Sequence, residues 1–79
     1  MNKLQYTKFG LFRIVTSKNN GDYAWWILKL EPLKEKIFEK DVELGKALNL
    51  DSYGVVLKKG YGENPPEEII QEIKDMIKN

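Results

Sequence analysis

The sequence predicts a small α+β domain in which strands and amphipathic helices share one core. Residues 9–16 and 23–30 are rich in β-branched and aromatic residues, and a cluster of turn formers separates them, as in a β-hairpin. Near the C-terminus, apolar residues recur three and four positions apart, which is the spacing of an amphipathic helix. These residues are Ile69, Ile70, Ile73, Met76 and Ile77.

A helix and a third strand are predicted between these two signals. Pro32 suits the first turn of a helix, and from Leu33 onward the apolar residues keep helical spacing. Gly45 costs a helix roughly 1 kcal/mol relative to alanine, so we expect the helix to end near it. Residues 47–50 then form a short turn, and residues 53–59 alternate as a strand does.

The predicted order is β-β-α-β-α in a single domain spanning residues 1–79. Two amphipathic helices can cover one face of a three-stranded sheet, so we expect a two-layer α+β domain with both helices on one face. A right-handed crossover would place the third strand beside the first and antiparallel to it. The expected strand order is then 2-1-3.

Composition argues against several kinds of chemistry. The 79 residues include no cysteine and no histidine, so the chain has no thiol nucleophile, no disulfide and no imidazole base or metal ligand. The net charge of +1 lacks the basic excess that is typical of duplex-binding domains. We therefore predict no catalytic residue, no cofactor and no metal, and we expect that the protein is not an enzyme.

The chain also lacks the usual signals for a membrane. No apolar run approaches the ~20 residues of a membrane span, and the first residues lack the apolar core of a signal peptide. We expect a cytoplasmic protein with no membrane partner. The richness in lysine, asparagine and isoleucine suggests an AT-rich genome, and we expect a bacterial or phage-like source.

The stretch GYGENPPEE admits two interpretations. Gly60 and Gly62 could cradle a phosphate at a helix N-terminus. Two consecutive prolines, which have no N–H, and three nearby glutamates argue against an anion site. Alternatively, Asn64 caps a helix, Pro65 is its first residue and Glu67 its third, as in a capping box. The capped helix is the prediction.

Aromatic residues provide the candidate functional surface. Trp25 and Trp26 are consecutive, so on a strand they face opposite sides of the sheet. One face is predicted to hold the residues that the helices cover, namely Phe12, Ile14, Trp26 and Leu28. The other face would expose the candidate partner-binding residues, which are Arg13, Tyr23, Trp25, Ile27 and Lys29.

Three interpretations of that second face remain open. The N-terminal residues Leu4, Tyr6 and Phe9 could cover it. It could bind a protein partner or a second copy of the chain, because Trp, Tyr and Arg dominate binding hot spots. It could also stack single-stranded nucleic acid, although the balanced charge makes a nucleic-acid partner the weaker prediction. The predicted function is a small protein-interaction module, acting as an adaptor, an inhibitor or a homodimer, with weak single-strand binding as the alternative.

Overall fold

The residues that the structure describes form a four-stranded antiparallel sheet with two helices. The computed structural model describes residues 3–19, 21–47 and 49–78. In chain order, the elements are β1 (Lys3–Phe9), β2 (Phe12–Asn19), β3 (Asp22–Leu30), α1 (Glu35–Glu43), β4 (Gly54–Tyr61) and α2 (Glu67–Lys78). Short 3-10 turns lie at Pro32–Lys34 and Leu50–Ser52. The prediction of an α+β domain with two helices is confirmed.

The first strand was not predicted, and it changes the order to β-β-β-α-β-α. The predicted strand 9–16 is divided by a tight turn, because Phe9 ends β1 and Phe12, its partner across the hairpin, begins β2. Gly10, between them, has a φ of 57°, a backbone conformation that glycine adopts without the usual steric cost. The second hairpin turn contains Asn20, which lies outside the described residues, as does Leu48 in the predicted turn 47–50.

The strand order is β1-β2-β3-β4, so the predicted order 2-1-3 is wrong. The third predicted strand corresponds to β4, which pairs antiparallel with β3 rather than with β2. The physical reason is that β1 occupies the free edge of β2. The connection through α1 therefore returns to the free edge of β3.

The two helices lie on opposite faces of the sheet, so the predicted two-layer arrangement is also wrong. Cross-strand pairs place Val15 opposite Trp26, and Ile14 opposite Ile27. On the α1 face, Val15 packs with Leu28 and Leu30 beneath Phe38 of α1. On the α2 face, the core contains Phe12, Ile14, Trp25, Ile27 and Ile73 of α2. Because β2 and β3 are apolar on both faces, both faces need a covering helix.

The stretch GYGENPPEE, which was considered as a phosphate site, forms the end of β4, a turn and the start of α2. Gly62 has a φ of 119° in the turn after β4. The helix begins at Glu67, two residues after the predicted start, and the carbonyl of Pro66 accepts the N–H of Ile70 at 3.2 Å. Asn64 therefore lies before the helix rather than at its cap. Pro65 is buried, which fixes the approach of the chain to α2.

Candidate functional site

Three of the five residues predicted to form a partner surface are buried. Arg13 is 0% exposed, Trp25 5% and Ile27 1%. Trp25 and Ile27 pack beneath Ile73 of α2, whereas Arg13 lies on the α1 face, opposite Leu28. The prediction that these residues are exposed on one face is wrong, because α2 covers Trp25 and Ile27 and α1 covers Arg13.

The remaining two predicted residues lie on β3 but far from each other. Tyr23 is half-buried near the start of β3, and the Nζ of Lys18 lies 5.4 Å from its ring centroid. Lys29 is exposed near the other end, with its Nζ 5.7 Å from the ring centroid of Phe12. Tyr23 and Lys29 therefore do not join Arg13 in one surface.

Arg13 instead forms a buried link between the sheet and α1. Its Nη1 donates to the carbonyls of Gly10 at 2.6 Å and Phe12 at 3.0 Å. Its Nη2 donates to Glu35 at 2.5 Å and contacts Glu39 at 3.5 Å. The hydrogen bond from Arg13 is the main reason that the pKa of Glu35 is lowered. The buried Nε of Arg13 has no hydrogen-bond partner among the described residues.

Two tyrosines hold α1 from either side of Phe38. The Phe38 ring lies 5.4 Å from that of Tyr6 and 5.3 Å from that of Tyr53, centroid to centroid. The Tyr53 hydroxyl donates to Asp41 at 2.7 Å, and this bond is the largest cause of the raised pKa of Tyr53. Burial, followed by the nearby charge of Glu39, raises the pKa of Tyr6. These contacts hold α1 against one half of the sheet face that it covers.

The other half of the α1 face is an open groove with a volume of about 1010 Å³. It lies between the sheet and the segment that follows α1, where the chain turns at Gly45 with a φ of 73°. Trp26, which is half-buried, lies on the sheet side of the groove. The other apolar lining residues are Leu4, Val42, Ala47, Leu50, Val56 and Leu57.

The charged residues of the groove are separated by sign. Lys59 comes from β4, whereas Glu43 and Asp51 come from α1 and the segment after it. Lys58 pairs with Ile27 on the other face, where its Nζ lies 3.0 Å from Glu72 of α2. Lys59 therefore gives the groove a basic side along the strand, and the two carboxylates give it an acidic side along the connection.

A β-bulge in β4 shapes the basic side. Lys58 pairs with Ile27, but Val56 pairs with Leu28, so Leu57 is an extra residue without a cross-strand partner. Val56 and Lys59 consequently lie on the same face of the sheet, although residues three apart in a regular strand lie on opposite faces. The bulge brings an apolar residue and a lysine of β4 to the same groove.

The sequence contained a signal that could have grouped Trp26 with Val15, rather than with Ile14, on one face of the sheet. When a two-residue loop joins two strands, every odd-numbered residue of one strand faces an even-numbered residue of the other. This holds whichever two residues form the loop. Asn19 pairs with Asp22, which places Val15 opposite Trp26. The prediction instead grouped Ile14 with Trp26, and this one-residue error in phase exchanged the two tryptophans.

The described residues offer no other recognisable site. Within residues 3–19, 21–47 and 49–78, no group of three or more acidic, histidine or cysteine side chains could hold a metal ion. In the same part of the chain, no helix is long and apolar enough to cross a membrane. No protein-family model, no curated protein and no solved structure matches this chain. The function must therefore be argued from the groove itself.

Proposed function

We propose that the protein is a small interaction module that binds an extended segment of a partner protein in the Trp26 groove. The observation that supports this is the difference between the tryptophans: Trp25 is buried under α2, whereas Trp26 is only partly buried and lines an open groove. Tryptophan is the residue type most enriched at binding hot spots, where it lies in a pocket that excludes water.

The lining of the groove indicates the chemistry of the partner segment. An apolar side chain would pack on Trp26 and Val56 and remove their exposed surface from water. An acidic residue on one side of this anchor would face Lys59, and a basic residue on the other would face Glu43. The partner segment is thus an apolar residue flanked by charges of opposite sign.

The groove supports binding rather than catalysis. Ser17 lines it, but the chain has no histidine or cysteine that could act as the usual general base or thiol nucleophile. The groove is only partly enclosed, which suits a peptide better than a small molecule that must be enclosed. We therefore propose a non-enzymatic role.

Single-stranded nucleic acid is the second candidate, and one observation favours it. Trp26 pairs with Lys59, and Ala24 pairs with Tyr61, so these side chains lie on one face. Tyr61 is 93% exposed, and two aromatic rings beside a lysine resemble a stacking platform for bases. The carboxylates of Glu43 and Asp51 and the net charge of +1 oppose a polyanion. The peptide is therefore the favoured ligand.

Selection from a library of random peptides of roughly 12 residues would test the proposal. We expect selected peptides to carry an apolar anchor with flanking charges. Trp26→Ala should weaken their binding by roughly 30-fold, as for a hot-spot residue. Val55→Ala is the matched control, because Val55 is exposed on β4 but pairs with Lys29 on the opposite face.

Two outcomes would overturn the proposal. Peptides that bind folded Trp26→Ala as tightly as the wild type would show that the groove is not the binding site. Binding of an oligothymidine of roughly 12 nucleotides that falls steeply with salt, with no selected peptide, would favour nucleic acid instead.

A further inference from the structure

The two edges of the sheet differ in how well they are protected from pairing with another strand. β4 carries a bulge at Leu57, a feature that discourages edge pairing. β1 is regular, and all seven of its residues pair in register with β2. It contains no proline and no bulge, so its outer edge offers an uninterrupted row of backbone groups.

The hairpin turn determines which residues of β1 have free backbone groups. A two-residue loop is closed by a pair that exchanges both backbone hydrogen bonds, and this pair is Phe9 and Phe12. Because hydrogen-bonded pairs alternate, the N–H and C=O groups of Leu4, Tyr6 and Lys8 point away from β2. These three residues form the open edge.

Helix α1 runs beside this edge in the opposite direction to β1. Glu35 contacts Lys8 at 3.5 Å, and Glu39 accepts from the Tyr6 hydroxyl at 3.4 Å. Farther along, the end of α1 lines the groove together with Leu4. Tyr6 therefore lies beside the middle of α1, in a shallow depression whose other lining residues are Lys36, Glu39, Lys40 and Glu43.

We propose that two copies of the chain pair through their β1 edges, antiparallel and about a two-fold axis at Tyr6. Tyr6 then faces Tyr6 of the second copy, and Leu4 faces Lys8 of the second copy. Each residue whose N–H and C=O point outward thus pairs with an equivalent residue of the second copy, and no two like charges face each other. The result is one continuous eight-stranded sheet with both α1 helices on the same side.

The charged side chains of α1 are also compatible with a two-fold axis at Tyr6. Arg13 of β2 contacts both Glu35 and Glu39 of α1, so we take α1 to lie over β2. With strands about 4.8 Å apart, the two helices would then run antiparallel about 14 Å from each other. Because the axis passes near the middle of α1, Lys36 faces Glu43 of the second copy, and Lys40 faces Glu39 of the second copy. Long side chains can span this gap, so the two-fold repeat gives ion pairs instead of repulsion. This self-association goes beyond the proposed peptide binding and does not depend on it.

Charge exchange on α1 provides the first test, measured by sedimentation equilibrium up to about 0.5 mM protein. We expect the wild type to approach twice the 9.2 kDa mass of one chain. Lys36→Glu alone, or Glu43→Lys alone, opposes like charges twice in the dimer and should raise the dimer Kd by roughly 10-fold. The double variant K36E/E43K should restore the wild-type Kd.

Backbone pairing is tested separately at Leu4. Leu4→Pro removes an outward N–H and should abolish the dimer, whereas Leu4→Ala, which keeps that N–H, should leave dimerisation intact. Thermal melts confirm that each variant is folded. A wild type that stays monomeric, a folded Leu4→Pro that still dimerises, or a double variant no better than either single one would overturn the proposal. Trp26→Ala should leave the dimer unchanged. The dimer proposal and the peptide-binding proposal can therefore fail independently of each other.

Discussion

Trp25 and Gly60 face each other across β3 and β4, and the indole of Trp25 occupies the space that a side chain at position 60 would need. A Cβ at position 60 would lie 2.5 Å from Cζ2 of Trp25. The glycine is therefore required by close approach of an aromatic ring, and not by a phosphate. The absence of a side chain at position 60 thus leaves room for Trp25 in the core beneath Ile73 of α2.

Replacing Gly60 with alanine should destabilise the protein by about 1–3 kcal/mol, because Trp25 must move within a packed core. Chemical denaturation of the variant measures this loss. Val55→Ala, at an exposed position of the same strand, should change the free energy of unfolding by less than about 0.5 kcal/mol. A G60A variant as stable as the wild type would contradict the packing described for Trp25.

The two tryptophans should differ in their contribution to stability. Trp25→Ala leaves a cavity beneath Ile73 and should cost about 3–5 kcal/mol. Trp26→Ala removes a side chain that is only partly buried and should cost less, about 1–2 kcal/mol. Urea unfolding of both variants tests the assignment, and equal losses would contradict it.

Arg13→Ala should cost about 1–3 kcal/mol of stability, because it removes a fully buried side chain and leaves the Phe12 carbonyl without its partner. Arg13→Met keeps most of the side-chain volume and should restore part of this loss, since the unpartnered Nε is also removed. Lys29→Ala, at an exposed position, serves as the control. If Arg13→Ala and Lys29→Ala had the same free energy of unfolding, Arg13 would not stabilise the contact between the sheet and α1.

Acid should lower the free energy of unfolding through protonation of Glu35. The pKa of Glu35 is lowered in the folded state, chiefly by the hydrogen bond from Arg13. Ionised Glu35 therefore favours folding above its ordinary pKa of 4.5, and this contribution disappears as the pH falls through the lower folded-state pKa. Glu35→Gln should show a shallower loss of stability in acid than the wild type. Glu63→Gln, at an exposed position, should retain the wild-type slope.

Alkali should act through Tyr53, whose pKa is raised above 10.0 chiefly by its hydrogen bond to Asp41. The neutral hydroxyl stabilises the fold below pH 10, and this contribution is lost as the pH rises through the folded-state pKa. Tyr53→Phe should be about 1 kcal/mol less stable at neutral pH and should lose less stability in alkali. Tyr61→Phe alters an exposed hydroxyl and is the control. A Tyr53→Phe variant with the wild-type alkaline profile would contradict the expected linkage.

The accuracy of the sequence predictions varied with the local strength of each pattern. The stripe Ile69, Ile70 and Ile73 correctly indicated α2, because a helix with one apolar face is recognisable from spacing alone. β1 was missed although Leu4 and Tyr6 alternate with polar residues, because the run from Phe9 to Thr16 looked like one uninterrupted strand that began at Phe9. Only the hairpin at Gly10 shows that this run belongs to two strands.

By itself, the sequence indicated both helices, three of the four strands and the absence of cysteine and histidine, because spacing and composition are local properties. The tertiary structure decided which tryptophan is accessible, since this depends on the register between β2 and β3 and on the face that each helix covers. It also decided that Arg13 lies in the core and that a groove remains beside α1. A one-residue shift in pairing reverses every side chain of a strand, so no pattern within one strand could fix these features.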